Sequence, residues 1–273
     1  MVRRFIAIWL ALVLAYAAPG QAGSPTRLRA VEVVGTVLRA ELSDGRMIQG
    51  RELEGAVIEV VLQGEAGPQR VRFDRIIADP DDPGGEILLY DMTRLDPQGG
   101  PAGPLCENAV AGGHWAFPLR GRWDSAGRHV SDQGWTLTCA GDAQGKCVRF
   151  GYKPWKTVGG VSLAPYHQAC IRMVRADYCG NQGTTRDGML IDVYDRIVIQ
   201  PRDTARSDLT FEAAWGPEGA VCVAHTRVPQ NMTLERLGMV CPRLRGRLGA
   251  AACPENLAIS GQMGEALLFN RSQ

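Results

Sequence analysis

Eight cysteines, all between residues 106 and 253, constrain this 273-residue chain more than any other feature. Cys106, Cys139, Cys147, Cys170, Cys179, Cys222, Cys241 and Cys253 form an even set. Such a set reads as a disulfide framework in an oxidising compartment and as metal ligation or catalysis in a reducing one. The N-terminus decides between these. Arg3 and Arg4 precede an apolar run, Phe5 to Ala18, of signal-peptide length, and Gly20 and Ala22 fit a small-x-small cleavage site. The run is shorter than the roughly 18–20 residues of a spanning helix, so a cleaved leader over 1–22 is expected rather than an anchor. No cysteine lies near the cleavage site, which argues against a lipidated form. The expectation is a secreted or periplasmic chain with four disulfides and no stable membrane insertion after cleavage.

The pairing itself is open, since eight cysteines allow about 105 connectivities. One pair is disfavoured. A helix over 165–179 separates Cys170 from Cys179 by roughly 13 Å along its axis, and a disulfide needs Cα atoms within about 7 Å. Each should reach a different element. Neither a Cys-x-x-Cys nor its paired zinc-ribbon form occurs, so no metal and no cofactor are expected.

Charge points to no polyanionic partner. The chain carries 30 basic and 29 acidic side chains, and loss of Arg3 and Arg4 with the leader leaves 28 against 29, a net of −1. That balance gives no footprint for nucleic acid or an anionic membrane. Lys146, Lys153 and Lys156 are the only lysines, a local basic patch that a solvated loop explains.

Residues 27–94 hold no cysteine and no tryptophan and read as a small antiparallel unit of about five strands. Ser43-Asp44-Gly45-Arg46 supplies a hairpin turn after Leu28–Leu42, and Val57–Leu62, Arg70–Ile77 and Glu86–Tyr90 read as further strands. The Pro/Gly-rich stretch 95–104 reads as a linker. Residues 105–273 hold every cysteine, with strands expected at 113–119, 134–139, 147–151, 188–194, 208–215, 219–224 and 264–270, and one main helix at about 165–179. The fold class is α+β and β-dominated: an N-terminal β unit, then a disulfide-stapled mixed domain.

That helix carries the densest chemistry in the chain, HQACIRMVRADYCG over 167–180. Pro165 suits a first turn and Gly180 a C-terminal stop. At about 100° per residue, Tyr166, Cys170, Met173, Val174 and Asp177 share one face, while Gln168, Arg172, Arg175 and Cys179 point elsewhere. Asp177 is the anomaly, a carboxylate on a face that should be buried. Burial requires an arginine, backbone N–H groups or an ion beside it. It serves either as an anchor for the turn-rich loop 181–188 or as a general acid or base; the structural role is favoured, because ion-pair networks also perturb carboxylates.

Ala176-Asp177-Tyr178-Cys179, with HQAC-x-RMVR before it and TRDGMLIDVYD after it, resembles the ADYC-domain family of exported bacterial proteins. Cys139…Lys146-Cys147 through Trp155 and Trp215-Gly216-Pro217-Glu218-Gly219-Ala220-Val221-Cys222 fit the same pattern. The resemblance covers roughly 105–225 and leaves the N-terminal β unit outside. It implies an extracytoplasmic, cysteine-rich domain and no particular reaction.

Two functions follow as expectations. The first is an exported, disulfide-stabilised binding or interaction protein whose partner is an extracytoplasmic protein or polymer, with Tyr152, Trp155 and Arg175 as binding candidates. The second is a hydrolase of envelope or extracellular polymers, with Asp177 and His167 as acid/base candidates. Roughly 15 Å of helix separates those two, which counts against it. His167 and Cys170 stand at i, i+3, but a reactive thiol must be unpaired. Asp187, Asp192 and Asp195 are read as solvated carboxylates rather than calcium ligands, because their spacing lacks the alternation of an EF-hand loop. Nucleophile-elbow, zinc-protease and phosphate-loop motifs are absent from the sequence.

Overall fold

The computed structural model describes residues 28–61, 67–107, 109–110 and 112–273, so the expected leader over 1–22 lies outside the described residues. The described chain is a β-dominated α+β fold of two compact units. The first runs to residue 125 and resumes over 129–145; the second comprises 126–128 and 146–273. The boundary therefore falls near 145 and not at 95–104.

In the first unit, strands β1 (Leu28–Val34), β2 (Val37–Leu42) and β3 (Met47–Gln49) form a three-stranded antiparallel sheet. The turn at 43–46 joins β2 to β3, and Gly35, at φ 61°, makes a second turn inside the stretch expected to be continuous. A second sheet has the order β4-β5-β6-β8-β9, built from β4 (Val57–Val61), β5 (Pro68–Ala78), β6 (Leu88–Leu95), β8 (Trp115–Trp123) and β9 (His129–Cys139). Residues expected to be a linker instead form a turn and strand β7 (Pro101–Pro104), paired with β6. The Asp96 carboxylate fixes that turn by accepting from Gly100 N–H at 2.7 Å, and the prolines are tolerated because β7 is short and marginal. Tyr90 ties the two sheets together: its buried hydroxyl accepts from Leu38 N–H and donates to Thr36 O, both at 3.0 Å. Cys106–Cys139 staples the loop before β8 to the end of β9.

Helix α1 (Ala143–Arg149) replaces the strand expected at 147–151. Ala143, Gln144, Gly145, Cys147 and Val148 are its buried residues, the spacing of a helix face rather than of a strand. After it come the hairpin β10 (Thr157–Val158) and β11 (Val161–Ser162), and helix α2 (Ala164–Val174). The sheet of the second unit is antiparallel in the order β12-β15-β13-β14, from β12 (Ile191–Asp195), β13 (Thr210–Gly216), β14 (Gly219–Val223) and β15 (Leu268–Ser272). The last strand in sequence is thus an inner strand. Helix α2 packs across β13, β14 and β15. Short helices α3 (Leu234–Val240) and α4 (Glu255–Ile259), which the sequence reading did not anticipate, complete the unit. Among the described residues no helix is long and apolar enough to cross a membrane.

Candidate functional site

Helix α2 ends at Val174, five residues before the expected limit, and the ending explains the motif that follows. Ala176 adopts φ 48°, the left-handed conformation that closes a helix. Its N–H donates to Met173 O at 3.0 Å and that of Asp177 donates to Arg172 O at 2.8 Å. This is a Schellman ending with alanine where glycine is usual. The helix is also buried on every side from Tyr166 to Met173, so Gln168 and Arg172, expected to point away from the core, are interior.

The reversal at Ala176 swings Asp177 back onto the helix. One carboxylate oxygen accepts from Arg172 Nη1 at 2.7 Å; the other accepts from Gly180 N–H at 2.8 Å and Gln182 N–H at 2.9 Å. Arg172 and Asp177 side chains are both 0% exposed. Arg172 further donates from Nε to Pro217 O and from Nη1 to Ala126 O. The aspartate therefore meets both an arginine and N–H groups, and it fixes the start of loop 181–188. Gly180 must lack a side chain: its φ is 86°, and a Cβ would collide with the carbonyl oxygen of Glu218.

Tyr178 enters a second buried network. Its ring stacks on Trp215 with centroids 5.2 Å apart, and its hydroxyl donates to Glu212 at 3.0 Å while accepting from Arg227 N–H at 2.8 Å. Arg227 clasps Glu212 from Nε at 2.9 Å and Nη2 at 3.1 Å, and reaches Met173 O and Val174 O at the end of α2. Asn270 on β15 donates to Glu212 at 2.7 Å and accepts from Trp215 Nε1 at 2.7 Å. Burial, then the neighbouring Glu212, holds the Tyr178 phenol well above its usual range. Charged groups persist here because each is paired and hydrogen-bonded.

Cys179 closes the motif by bonding to Cys241, just past α3, while Cys170 bonds to Cys147 of α1. The two cysteines of the stretch do reach different elements. Cys222–Cys253 completes the four disulfides, and among the described residues no cysteine is free.

The remaining candidates scatter. His167 is 1% exposed within α2. Tyr152 is buried, stacked on Tyr166, and donates to Asp195 at 2.8 Å; burial and Asp195 raise its phenol. Tyr152 and Trp155 therefore make no joint aromatic platform. Trp155 is 37% exposed, just before the β10–β11 hairpin. Arg175 is half-buried at the helix cap. Asp187 is exposed, but Asp192 is buried and Asp195 accepts from Ile199 and Gln200 N–H, so these two are not solvated carboxylates. Burial raises the Asp192 carboxyl above its usual range. Among the described residues no cluster of three or more His, Cys, Asp or Glu is disposed to hold a metal.

Sequence reasoning missed Glu212, Arg227 and Asn270. Glu212 had a readable signal, a carboxylate inside the apolar run of Phe211–Trp215, the same anomaly that singled out Asp177. Arg227 lies outside every expected element, and Asn270 falls at the last position of the strand expected over 264–270, where a polar residue is ordinary.

No curated protein and no solved structure matches the chain. A family model, the ADYC domain, matches residues 50–229. The match reaches into the N-terminal β unit, beyond the resemblance read from 105–225, and stops before β15. With the four residues Ala176 to Cys179 each given a structural task by this geometry, and with the match spanning most of both units, the chain belongs to the ADYC-domain family.

Proposed function

We propose that the protein is an exported, disulfide-stabilised binding or interaction module, secreted or periplasmic, whose partner is an extracytoplasmic protein or polymer. One observation carries this reading: His167, Asp177 and Tyr178 are buried, and Asp177 has both carboxylate oxygens engaged. A general acid or base needs an open approach to substrate, and neither Asp177 nor His167 is placed for it. In the segment before α2, Trp155 and the hairpin after it meet solvent, with Val158 and Val161 paired across the strands at 43% and 39% exposure. A contiguous apolar patch marks a contact surface, and this reading takes these three side chains as part of one; four disulfides suit an oxidising compartment.

The test uses the mature protein with insoluble peptidoglycan and with exported polysaccharide, following both retention and release of reducing ends. Retention that Trp155→Ala abolishes without lowering the melting temperature supports the reading. Release of reducing ends that Asp177→Asn removes would replace it with a hydrolase. N-terminal sequencing of the exported chain tests the compartment, with a start near residue 23 expected.

A further inference from the structure

The disulfides differ in access. Cys147, Cys170, Cys222, Cys241 and Cys253 are completely buried and Cys106 nearly so, while Cys139 and Cys179 are half-buried. Cys179 also lines a cavity of about 90 Å³ with Asn181, Gln182, Arg236 and Leu237. Arg236 lines the same cavity from an exposed stretch of α3, which brings a basic residue to the cavity that Cys179 borders.

We propose that Cys179–Cys241 is an exchangeable disulfide, opened from this cavity by small anionic thiols. An incoming thiolate attacks Cys179 Sγ, because Cys241 Sγ is shielded. A new S–S bond forms between the thiol and Cys179, the Cys179–Cys241 bond breaks, and the electron pair leaves on Cys241, which takes a proton from water. A second thiolate attacks the mixed disulfide, releases the oxidised thiol dimer and leaves Cys179 reduced. Two thiols supply the two electrons.

The consequence falls on α3 rather than on the ADYC turn. The turn keeps the Asp177 bonds and the Arg243 guanidinium, which donates to Tyr178 O, Glu218 O and Ala220 O without help from sulfur. Helix α3 loses its covalent tie and keeps the Thr233 cap, whose hydroxyl accepts from Arg236 N–H at 3.1 Å, and the buried Leu237. Since α3 forms one wall of the cavity, exchange changes the surface that carries it. This goes beyond the binding reading and does not depend on it.

The experiment treats the intact oxidised protein with glutathione, which is anionic, or cysteamine, which is cationic, then quenches by alkylation and maps the thiols by peptide mass. Expected first is a glutathione adduct on Cys179 with Cys241 free, before thiols appear at the other three pairs. After correction for thiolate fraction, glutathione should react about threefold faster than cysteamine, the scale of one exposed charge pair. Arg236→Gln should erase that preference while keeping the backbone bond to Thr233. Earlier opening of Cys106–Cys139 or another pair, an adduct on Cys241, no opening without denaturant, or an unchanged preference in Arg236→Gln would each overturn the proposal.

Discussion

Asp177→Asn replaces one carboxylate oxygen with an amide nitrogen and leaves the shape unchanged. The retained oxygen can still accept from Gly180 and Gln182 N–H. The new NH2 faces Arg172 Nη1 across the 2.7 Å where the carboxylate accepted, so two donors oppose each other. Arg172 is meanwhile a fully buried cation stripped of the carboxylate it contacts. Removing one partner of a buried pair costs about 3–5 kcal/mol. The lower end is expected, about 3 kcal/mol, because Arg172 keeps Pro217 O and Ala126 O. In urea, with a slope of about 1–3 kcal/mol per molar, the midpoint of the second unit should fall by about 1–3 M. Tryptophan fluorescence of the oxidised protein reads it, since Trp215 stacks on Tyr178. Adding Arg172→Met should cost less than the two single losses combined, because the orphaned charge is gone. A midpoint within about 0.2 M of wild type would refute the claim that this pair holds the turn.

Three more outcomes follow from the same geometry. Burial raises the phenols of Tyr90, Tyr152, Tyr166, Tyr178 and Tyr194, with Tyr90 pushed up to about 12. The unfolded chain ionises first, so stability is complete below pH 10 and drains away as pH rises toward the folded values. Phenolate absorbance at 295 nm should therefore stay low until circular dichroism is lost; smooth ionisation around pH 10 in a folded chain would contradict this. Truncation after Pro229, where the family match ends, removes β15 along with the partners of Cys179 and Cys222. The second unit should become protease-sensitive, and a protease-resistant truncation would oppose the topology. Ala176→Val should cost about 2 kcal/mol through a β-branched residue at φ 48° in a fully buried position. Ala176→Gly should stay within about 1 kcal/mol of wild type, and thermal melting compares the two.

Local signals were legible and long-range ones were not. The fold class followed from alternating apolar residues and cysteine density, and the need of Asp177 for partners followed from the cost of a buried charge. Helix α2 was extended too far because Ala176 carries no sign of a left-handed φ, which glycine would have given. Strand β7 was hidden behind Pro101 and Pro104, whose usual role is to break structure. Helix α1 was misread because Val148 and Phe150 favour strands, a weak preference that burial and the Cys147–Cys170 staple override. The Glu212 network joins residues up to 58 positions apart, and no window of sequence contains such a pairing.

The central claim is that the ADYC turn is the buried hub of its unit and not an open site. Amide hydrogen exchange at Gly180 and Gln182, whose N–H groups donate to Asp177, tests this most directly. A hub predicts that both exchange only through opening of the whole second unit, with protection falling in step with its stability as urea is added. Exchange within seconds under native conditions, insensitive to urea, would contradict it.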